Sequence, residues 1–197
     1  METSKCIKER RSINNYLDKD VPLRLILELL DAAHQAPSSG NIQNWRFIIV
    51  KNKKTREEIA ECCLSQTWMC QAPVHIVICS DREHISSFYE KHKNTYSIQN
   101  CAMAAQNLML KAHSIKLGTC FVAGFSKMTM KRILEIKEGS EPEGIITVGY
   151  PAEKPTSKRG LLENYTFFET YSNRRADKSL WPLNKKIKDL FSKFKKK

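Results

Sequence analysis

The chain has 197 residues, of which 41% are hydrophobic and 27% are charged, and its formal net charge is +12. This length and composition predict one globular domain and exclude an intrinsically disordered chain. The longest apolar runs, residues 47–50 and 75–79, are far too short to span a bilayer. Residues 1–12 are charged and lack the apolar stretch of a secretory signal, so we expect a cytoplasmic protein.

The positive charge is concentrated at the C-terminus. Residues 185–197 contain seven Lys and one Asp, which gives this segment half of the net charge. Apolar residues recur there at the spacing of one helix face, so residues 182–197 are predicted to form a basic amphipathic tail. Such a tail could lie on an anionic membrane or dock on its own protein, and the sequence leaves both open. The apolar positions are Ile187, Leu190, Phe191 and Phe194.

The cysteine and histidine patterns argue against a disulfide framework and a metal site. The chain has seven cysteines, an odd number, and no C-x-x-C pair. No H-x-x-x-H pair or Cys/His cluster occurs either, so no bound metal is expected. Reduced thiols that pack as small apolar groups are the better interpretation, and they again favour a cytoplasmic location.

The apolar periodicity predicts an α+β fold in which helices cover a small sheet. In chain order it predicts a helix at 20–36, a strand at 45–52, a helix at 54–66, a central strand at 74–81, a long buried helix at 96–115, a strand or loop at 117–125, a helix at 126–137 and a strand at 143–151. Thr55 and Glu58 are predicted to form a capping box at the start of the second of these helices. The polar segment 81–97 fits a plain surface helix.

Residues 151–181 show no strong periodicity. A compact domain rarely carries some 30 residues without regular structure unless they wrap something. We therefore expect one domain over residues 1–181, in which residues 151–181 form an arm that wraps a partner subunit.

Four short stretches could contact a ligand, although each also has an ordinary structural explanation. Residues 10–12 and residues 156–162 carry basic side chains suited to a phosphate. Residues 36–45 and 117–125 are rich in small residues that let a backbone approach a planar ring. A solvated Arg pair, a surface turn, a helix-to-strand turn and a core strand are the respective alternatives.

The order and separation of these stretches resemble the nitroreductase family of flavoproteins. The family pattern has RRSIR near the N-terminus, then APSSGNxQPW, an AP before an apolar strand, a long helix with QNLMLAA, GLGTCW, and a VGYP strand before a basic arm. The resemblance covers residues 7 to about 170 of this chain. The matching stretches are RRSIN, APSSGNIQNW, QAPVHIVIC, AAQNLMLKAHSIKLGTCF, IITVGYPAEKP and SKRGLLENYTFFE.

The resemblance implies a fold and an activity. The fold is a three-layer α+β sandwich with a mixed or antiparallel sheet between helices, in an obligate intertwined homodimer. The activity is ping-pong hydride transfer from NADH or NADPH, through FMN, to a small oxidised acceptor such as a nitroaromatic or a quinone. Because the cofactor carries the chemistry, no catalytic side chain is implied. The segment 81–97 lies where the family has its variable lid, so the resemblance offers a lid that sets substrate selectivity as the alternative to a plain surface helix.

The resemblance also implies which residues hold FMN. Contacts to the phosphate and ribityl chain come from the N-terminal segment and from a basic pair in the arm. A loop of the second subunit lies against the isoalloxazine, and a third stretch lines the flavin on its hydride-accepting side. In that order the residues are Arg10, Arg11 and Ser12; Lys158 and Arg159; Pro37, Ser38, Ser39 and Asn41; and Phe121, Ala123 and Gly124.

Three positions depart from the family pattern. Asn14 stands where the family often has Arg or Lys beside the N1/O2 edge of the flavin. Asn14 supplies no charge there, so we expect a lower flavin potential unless another cation such as Arg46 compensates. Asn44 replaces the usual proline, with an altered turn as the expected effect, and Ala123 replaces an acidic residue found in one branch.

Other functions remain as alternatives. A dehalogenase-like or flavin-processing relative would keep the fold, but those relatives carry long lid insertions for which 197 residues leave little room. A basic protein that binds nucleic acid or a membrane would interleave aromatic and basic residues over its body, whereas here the basic cluster lies in the tail. No G-x-G-x-x-G follows a strand, so no Rossmann dinucleotide site is expected.

Overall fold

The computed structural model describes residues 1–174. Within them the α-helices are α1 (Thr3–Glu9), α2 (Leu23–His34), α3 (Lys53–Cys62), α4 (Arg82–Tyr89), α5 (Lys93–Ser114) and α6 (Lys127–Ile133). The strands are β1 (Trp45–Val50), β2 (Val74–Asp81), β3 (Gly118–Val122) and β4 (Ser140–Gly149). The chain divides into two compact units, residues 1–155 and a segment that begins at Thr156.

The four strands form one antiparallel sheet in the order β1-β2-β4-β3. Every residue of β2 is buried, as its near-continuous apolar sequence predicts for a central strand. Residues 117–125, for which the sequence left strand and loop open, supply edge strand β3, which pairs Gly118 with Gly149 and Val122 with Ile145. The sheet is thus antiparallel, and its two outer strands are β1 and β3.

Alternation along the central strands builds a core on each face of this sheet. Ile76 and Ile78 of β2 pack into one cluster with residues of α2 and α5. Val77 and Cys79 point the other way, into a cluster with residues of α3 and α6. Successive side chains of a strand alternate between faces, so both faces need a helical cover. The expected three-layer α+β sandwich is confirmed.

Two details of the predicted elements are wrong. The capping box expected from Thr55 and Glu58 is absent, because α3 begins three residues earlier than such a box would need. The side chain of Asn52 caps this helix instead, and its Oδ1 accepts from the backbone N of Thr55 at 3.1 Å. The segment 81–97 is also no single surface helix, since it contains α4, a short 3-10 turn and the start of α5.

The second unit is described as far as Arg174. It holds one short 3-10 helix, Leu162–Tyr165, and the rings of Phe167 and Tyr171 stack at 4.5 Å between centroids. The predicted arm is described only in part, and the domain end at residue 181 and the amphipathic tail 182–197 lie outside the described residues.

Within residues 1–174 no helix is both long and apolar enough to cross a membrane. Nor does this part of the chain bring three or more His, Cys, Asp or Glu side chains together as metal ligands. All seven cysteines are free. Burial raises the pKa of the Cys63 and Cys79 thiols to about 12, so both are protonated at neutral pH and pack as small apolar groups.

His75 is the one fully buried imidazole among the described residues. It lies in β2, and its Nε2 is 2.9 Å from the backbone O of Met69. Burial lowers the pKa of His75 to about 4, although the hydrogen bond to Met69 opposes this shift. The folded protein therefore keeps His75 neutral at a pH where the unfolded chain already binds a proton.

We predict that this histidine makes the folding stability decrease as the pH is lowered from 7 to 4. The unfolded imidazole titrates near 6.5 and the folded one near 4. Between these values only the unfolded state gains the proton, which costs about 1.4 kcal/mol per pH unit and about 3 kcal/mol in all. Urea unfolding from pH 7 to pH 4 should show most of this loss removed in His75→Gln, which keeps a donor for Met69. The exposed-residue control His84→Gln should behave as wild type, and equal slopes in wild type and His75→Gln would contradict the prediction.

Candidate cofactor site

The N-terminal segment runs along edge strand β3. The backbone N of Ile13 donates to the backbone O of Thr119 at 3.0 Å, and Ser12 forms a parallel bridge with Thr119. A Cβ on Gly118 would lie 2.9 Å from the Ile13 side chain, so only glycine lets the two backbones come this close. The predicted cofactor residues around Ser12 are therefore brought beside the strand that ends in the predicted flavin-lining stretch.

A pocket of about 290 Å³ opens beside this pairing. Its walls come from the N-terminal segment, the end of α5, the start of β3 and residues 151–155. Basic side chains outnumber acidic ones on its lining, which suits an anionic group such as a phosphate. The charged and titratable residues of the lining are Glu9, Arg10, Arg11, His113, Lys116, Glu153 and Lys154.

Arg11 is anchored with one donor unused. Its Nη1 donates to the backbone O of Lys8 at 2.7 Å and of Arg10 at 2.8 Å. Its Nε is buried and has no hydrogen-bond partner among the described residues. A buried donor without a partner is costly unless a ligand or water accepts from it. Because Arg11 and three further basic side chains lie in the lining, the pocket suits a phosphate. Sequence patterns alone miss Lys116 and Lys154 because these residues lie far from Arg11 in the chain.

Glu153 fixes the turn that follows Ile13. Its carboxylate accepts from the backbone N of Asn14 at 2.9 Å and of Asn15 at 3.1 Å, and from Nδ2 of Asn15 at 3.0 Å. These hydrogen bonds lower the pKa of Glu153, which is therefore charged at neutral pH. A carboxylate beside Asn14 adds negative charge at the position where the family often has a cation.

Arg46 does not compensate for Asn14 within one chain. It lies on β1, whereas Asn14 follows the segment beside β3, and these strands form opposite edges of the sheet. Its Nη2 also pairs with Oδ2 of Asp81 at 2.9 Å. Compensation by Arg46 could come only from a second subunit.

The predicted flavin-lining stretch lies at the end of β3. Phe121 is partly exposed, and its ring covers Gly144, where a Cβ would lie only 2.4 Å from ring atoms. Ala123 and Gly124 are exposed in the turn that follows. These three residues present a small, open surface, as a close approach to a planar ring requires.

The sequence patterns miss the neighbour of this surface. Leu64 and Ser65 both adopt positive φ angles, and Leu64 is 81% exposed. Leu64 Cδ1 lies 3.8 Å from the place where a Cβ of Gly124 would be, and Ser126 N donates to Cys62 O at 3.1 Å. A left-handed, exposed leucine is uncommon, and no local pattern signals it. We add this turn to the candidate site.

The loop 37–44 belongs to the other edge of the sheet, because it leads into β1. Gly40, Asn41 and Gln43 all have positive φ, so the loop is tightly turned. Ser38 Oγ accepts from the backbone N of Gln43 at 3.1 Å, and the Gln43 side chain donates to Asn41. Pro37 and Asn41 are exposed, and Ser38 and Ser39 are half-buried.

Asn44, expected to alter a turn and little more, does considerably more. It is fully buried, and its amide Oδ1 accepts from Nδ2 of Asn100 on α5 at 2.8 Å. Asn100 in turn accepts from Ser39. The expectation is wrong because a buried amide must satisfy its polar atoms, and here it does so by tying the loop to a helix.

Within one chain, the predicted cofactor residues therefore form separate groups. Residues 10–14 and 121–124 are tied to the same edge strand. The loop 37–41 belongs to the opposite edge. Lys158 and Arg159 are exposed in the second unit. The assignment of all these residues to FMN stays a prediction.

Comparisons with known proteins identify the family. The family model described as "Nitroreductase family" matches residues 7–68 and 60–150. The chain belongs to the nitroreductase family. A relative from Methanothermobacter thermautotrophicus, named "Putative NADH dehydrogenase/NAD(P)H nitroreductase", is 35% identical over 164 residues, which cover 80% of this chain and 82% of that protein.

Two further relatives of the nitroreductase chain carry cofactor names. A Bacillus subtilis protein named "FMN reductase [NAD(P)H]" is 27% identical over 188 residues, covering 88% of this chain and 76% of its own. A solved structure of an FMN-dependent nitroreductase from Clostridium difficile R20291 matches with a TM-score of 0.75 and 26% identity, covering 85% of this chain and 99% of that one. The fold of that solved structure and the fold of this chain agree over most of their length.

Proposed function

We propose that this nitroreductase is an FMN-dependent oxidoreductase that takes hydride from NADH or NADPH and passes it to a small oxidised acceptor. The single observation that carries the proposal is the basic pocket beside β3, with its unused Arg11 Nε. The family, and relatives named for NAD(P)H and FMN, support the same activity. The acceptor class is a nitroaromatic, a quinone or a free flavin.

The residues of the chain bind and orient the cofactor. The phosphate would lie in the basic pocket, where Arg10 and Arg11 supply charge-assisted donors. The ring would lie along β3, against the open surface of Phe121, Ala123 and Gly124. FMN supplies the hydride chemistry, so no side chain needs to act as an acid or base. Donor and acceptor would use the same exposed ring face in turn.

A homodimer would complete this site. The loop 37–41 and β3 belong to opposite edges of the sheet, so the loop that covers the ring would come from the second subunit. Helices α2 and α5 carry exposed large apolar side chains on the face away from the sheet, and a partner subunit would cover them. These residues are Leu23, Leu27, Ile98 and Met103.

The segment α4 and the turn after it would border the acceptor. Tyr89 reaches the loop 37–41, which we call the flavin loop, since the Tyr89 Oη lies 2.8 Å from the place of a Cβ on Gly40. The seven free cysteines support a reducing compartment, and the proposal therefore includes a cytoplasmic location. Contact with a membrane through the basic tail is the less favoured alternative to docking on the dimer.

We predict that the purified protein binds FMN through Arg11. Absorption bands near about 370 and 450 nm should bleach on anaerobic addition of NADH or NADPH. Arg11→Gln should weaken FMN binding by roughly ten- to hundredfold, the range expected for one charged hydrogen-bond partner. The control Arg132→Gln, on exposed α6, should bind as wild type. Absence of the bands after soaking in FMN would overturn the cofactor, and bands that persist with both donors would point to dehalogenase-like or other chemistry.

We predict a dimer that depends on α5. Light scattering should give about twice the chain mass of 22.8 kDa. Ile98→Glu should shift the protein towards monomer and weaken FMN binding together, because a charge would be buried in the interface. Met128→Glu, an equally apolar exposed site on the other face of the sheet, is the control. A monomeric wild type that still binds FMN would contradict the shared site.

We predict that Asn14 lowers the potential of the bound flavin. Asn14→Arg should raise the midpoint potential by about 30 mV, the two-electron equivalent of about 1.4 kcal/mol, because a cation would stabilise the reduced ring. Asn14→Gln, which changes size without charge, should leave it near wild type. Equal potentials in Asn14→Arg and wild type would remove Asn14 from the flavin edge.

A further inference from the structure

Two buried amides lie between the flavin loop and the core. Asn44 and Asn100 are both fully buried, and Nδ2 of Asn100 donates to Oδ1 of Asn44 at 2.8 Å. Buried amides are expensive unless nearly all their polar atoms are paired. This pair therefore has a structural or functional purpose beyond filling space.

Asn100 holds the flavin loop directly. Its Oδ1 accepts from the backbone N of Ser39 at 2.9 Å and from Oγ of Ser39 at 3.2 Å. Ser39 begins the 3-10 turn that contains left-handed Gly40 and Asn41. The first N–H groups of such a turn lack a partner within it. The contact from Asn100 satisfies one of them and ties the loop to α5.

Asn44 sets the orientation of the Asn100 amide. Nδ2 of Asn44 points to Oγ of Ser97 at 3.0 Å and to the backbone O of Asp81 at 3.4 Å. Because a carbonyl oxygen only accepts, this end of Asn44 must be the NH₂ group and its Oδ1 must face Asn100. Asn100 must then donate to Asn44 and turn its own oxygen to Ser39. The hydrogen bonds from Ser39 through Asn100 and Asn44 to Asp81 thus all run in the same donor-to-acceptor direction.

We propose that Asn44 and Asn100 are positioning residues that hold the loop 37–41 in one geometry for the flavin ring of the partner subunit. The inference rests on the proposed function, because the loop is assigned to FMN there. Both side chains are fully buried, so the pair would act on the flavin only through the Ser39 backbone. Removal of the Asn100 oxygen frees that backbone while the rest of α5 stays packed.

The same series of hydrogen bonds extends to α4, which is proposed to border the acceptor. The backbone N of Asp81 donates to the backbone O of Asn44 at 2.7 Å. Oδ1 of Asp81 caps α4 by accepting from the backbone N of His84 at 3.0 Å. Tyr89, at the far end of α4, returns to Gly40. The flavin loop and α4 therefore share an anchor, and a loop released from Asn100 should disturb both flavin and acceptor binding.

The test compares two asparagines of α5. Asn100→Ala removes the loop contact, whereas the control Asn107→Ala removes only a 3.3 Å hydrogen bond to the backbone O of Ala32. Amide hydrogen exchange of residues 39–43 in the FMN-free chain measures the loop, and FMN affinity and the flavin midpoint potential measure its consequence. Asn100→Asp keeps the acceptor for Ser39, and a carboxyl in this fully buried position stays protonated, so its O–H can donate to Oδ1 of Asn44 in place of the amide.

We expect Asn100→Ala to speed exchange of the loop at least about tenfold and to weaken FMN binding by a similar factor, with an altered potential. Asn107→Ala should change none of the three, and Asn100→Asp should restore loop protection and FMN affinity to within about threefold of wild type. Loop exchange and FMN affinity in Asn100→Ala equal to those of Asn107→Ala would overturn the proposal.

Two further outcomes separate a failure of the proposal from a failure to fold or to bind FMN. If Asn100→Ala does not fold, Asn100→Asp decides alone, and a fast-exchanging loop in that folded variant overturns the proposal. If neither wild type nor variants bind FMN, the proposed function fails, because the loop would then serve no flavin, while hydrogen exchange still shows whether Asn100 holds the loop.

Discussion

The backbone contact between Ile13 and Thr119 is the constraint on which the candidate site depends. It makes the N-terminal segment a partial fifth strand beside β3, and it exists because Gly118 has no Cβ to hold the two chains apart. Arg10 and Arg11 precede this contact, so it sets where their charge lies. An edge strand also needs a cover against unwanted pairing, and the segment provides one. The Ile13–Thr119 contact thus covers the β3 edge of the sheet and positions the arginines that line the pocket.

The strand order separates the predicted cofactor residues within one chain. With β1 and β3 at opposite edges, the loop before β1 cannot share an edge with the segment beside β3. A second copy related by a two-fold axis could present its loop to the first copy's β3 edge, and the reverse contact would follow by symmetry. The exposed leucines of α2 and the apolar side chains of α5 offer a surface for that contact. The family's dimeric site is therefore consistent with the topology of this single chain.

Much of the fold could be predicted from sequence, and the failures have identifiable physical causes. Hydrophobic periodicity predicts long elements such as β2 and α5 within a few residues, because it reflects burial directly. It leaves β3 ambiguous, because this strand is short and begins with Gly118, which is required by contact with the N-terminal segment, distant in sequence. It does not reveal α4 as a separate helix, because its cap, Asp81, has the local pattern of the polar end of a strand.

The residues of the candidate site likewise divide into those that sequence patterns identify and those that they miss. A motif identifies Arg10 and Arg11, whereas Lys116 and Lys154 join the pocket only through tertiary packing. The importance of Asn44 is not visible in the sequence, because a substitution in a turn motif does not reveal burial and its partner Asn100 lies 56 residues away. Leu64 gives no sequence signal for its left-handed backbone or for its position beside Gly124. Local pattern identifies residues that a ligand would touch, and it misses those that position them.

The electrostatic potential in the pocket depends on the surroundings of the Glu153 carboxylate. Glu153 lines the pocket, and its carboxylate accepts hydrogen bonds from three N–H donors of Asn14 and Asn15. Those donors stabilise the carboxylate, and the four arginines and lysines of the lining outnumber Glu9 and Glu153, so an anion in the pocket still meets a net positive potential. The same carboxylate stands beside the position where a cation would favour a reduced ring. One residue thus supports the backbone that shapes the phosphate end while it makes the ring end more negative, and a nitroreductase with this pair should hold FMN firmly at a low potential.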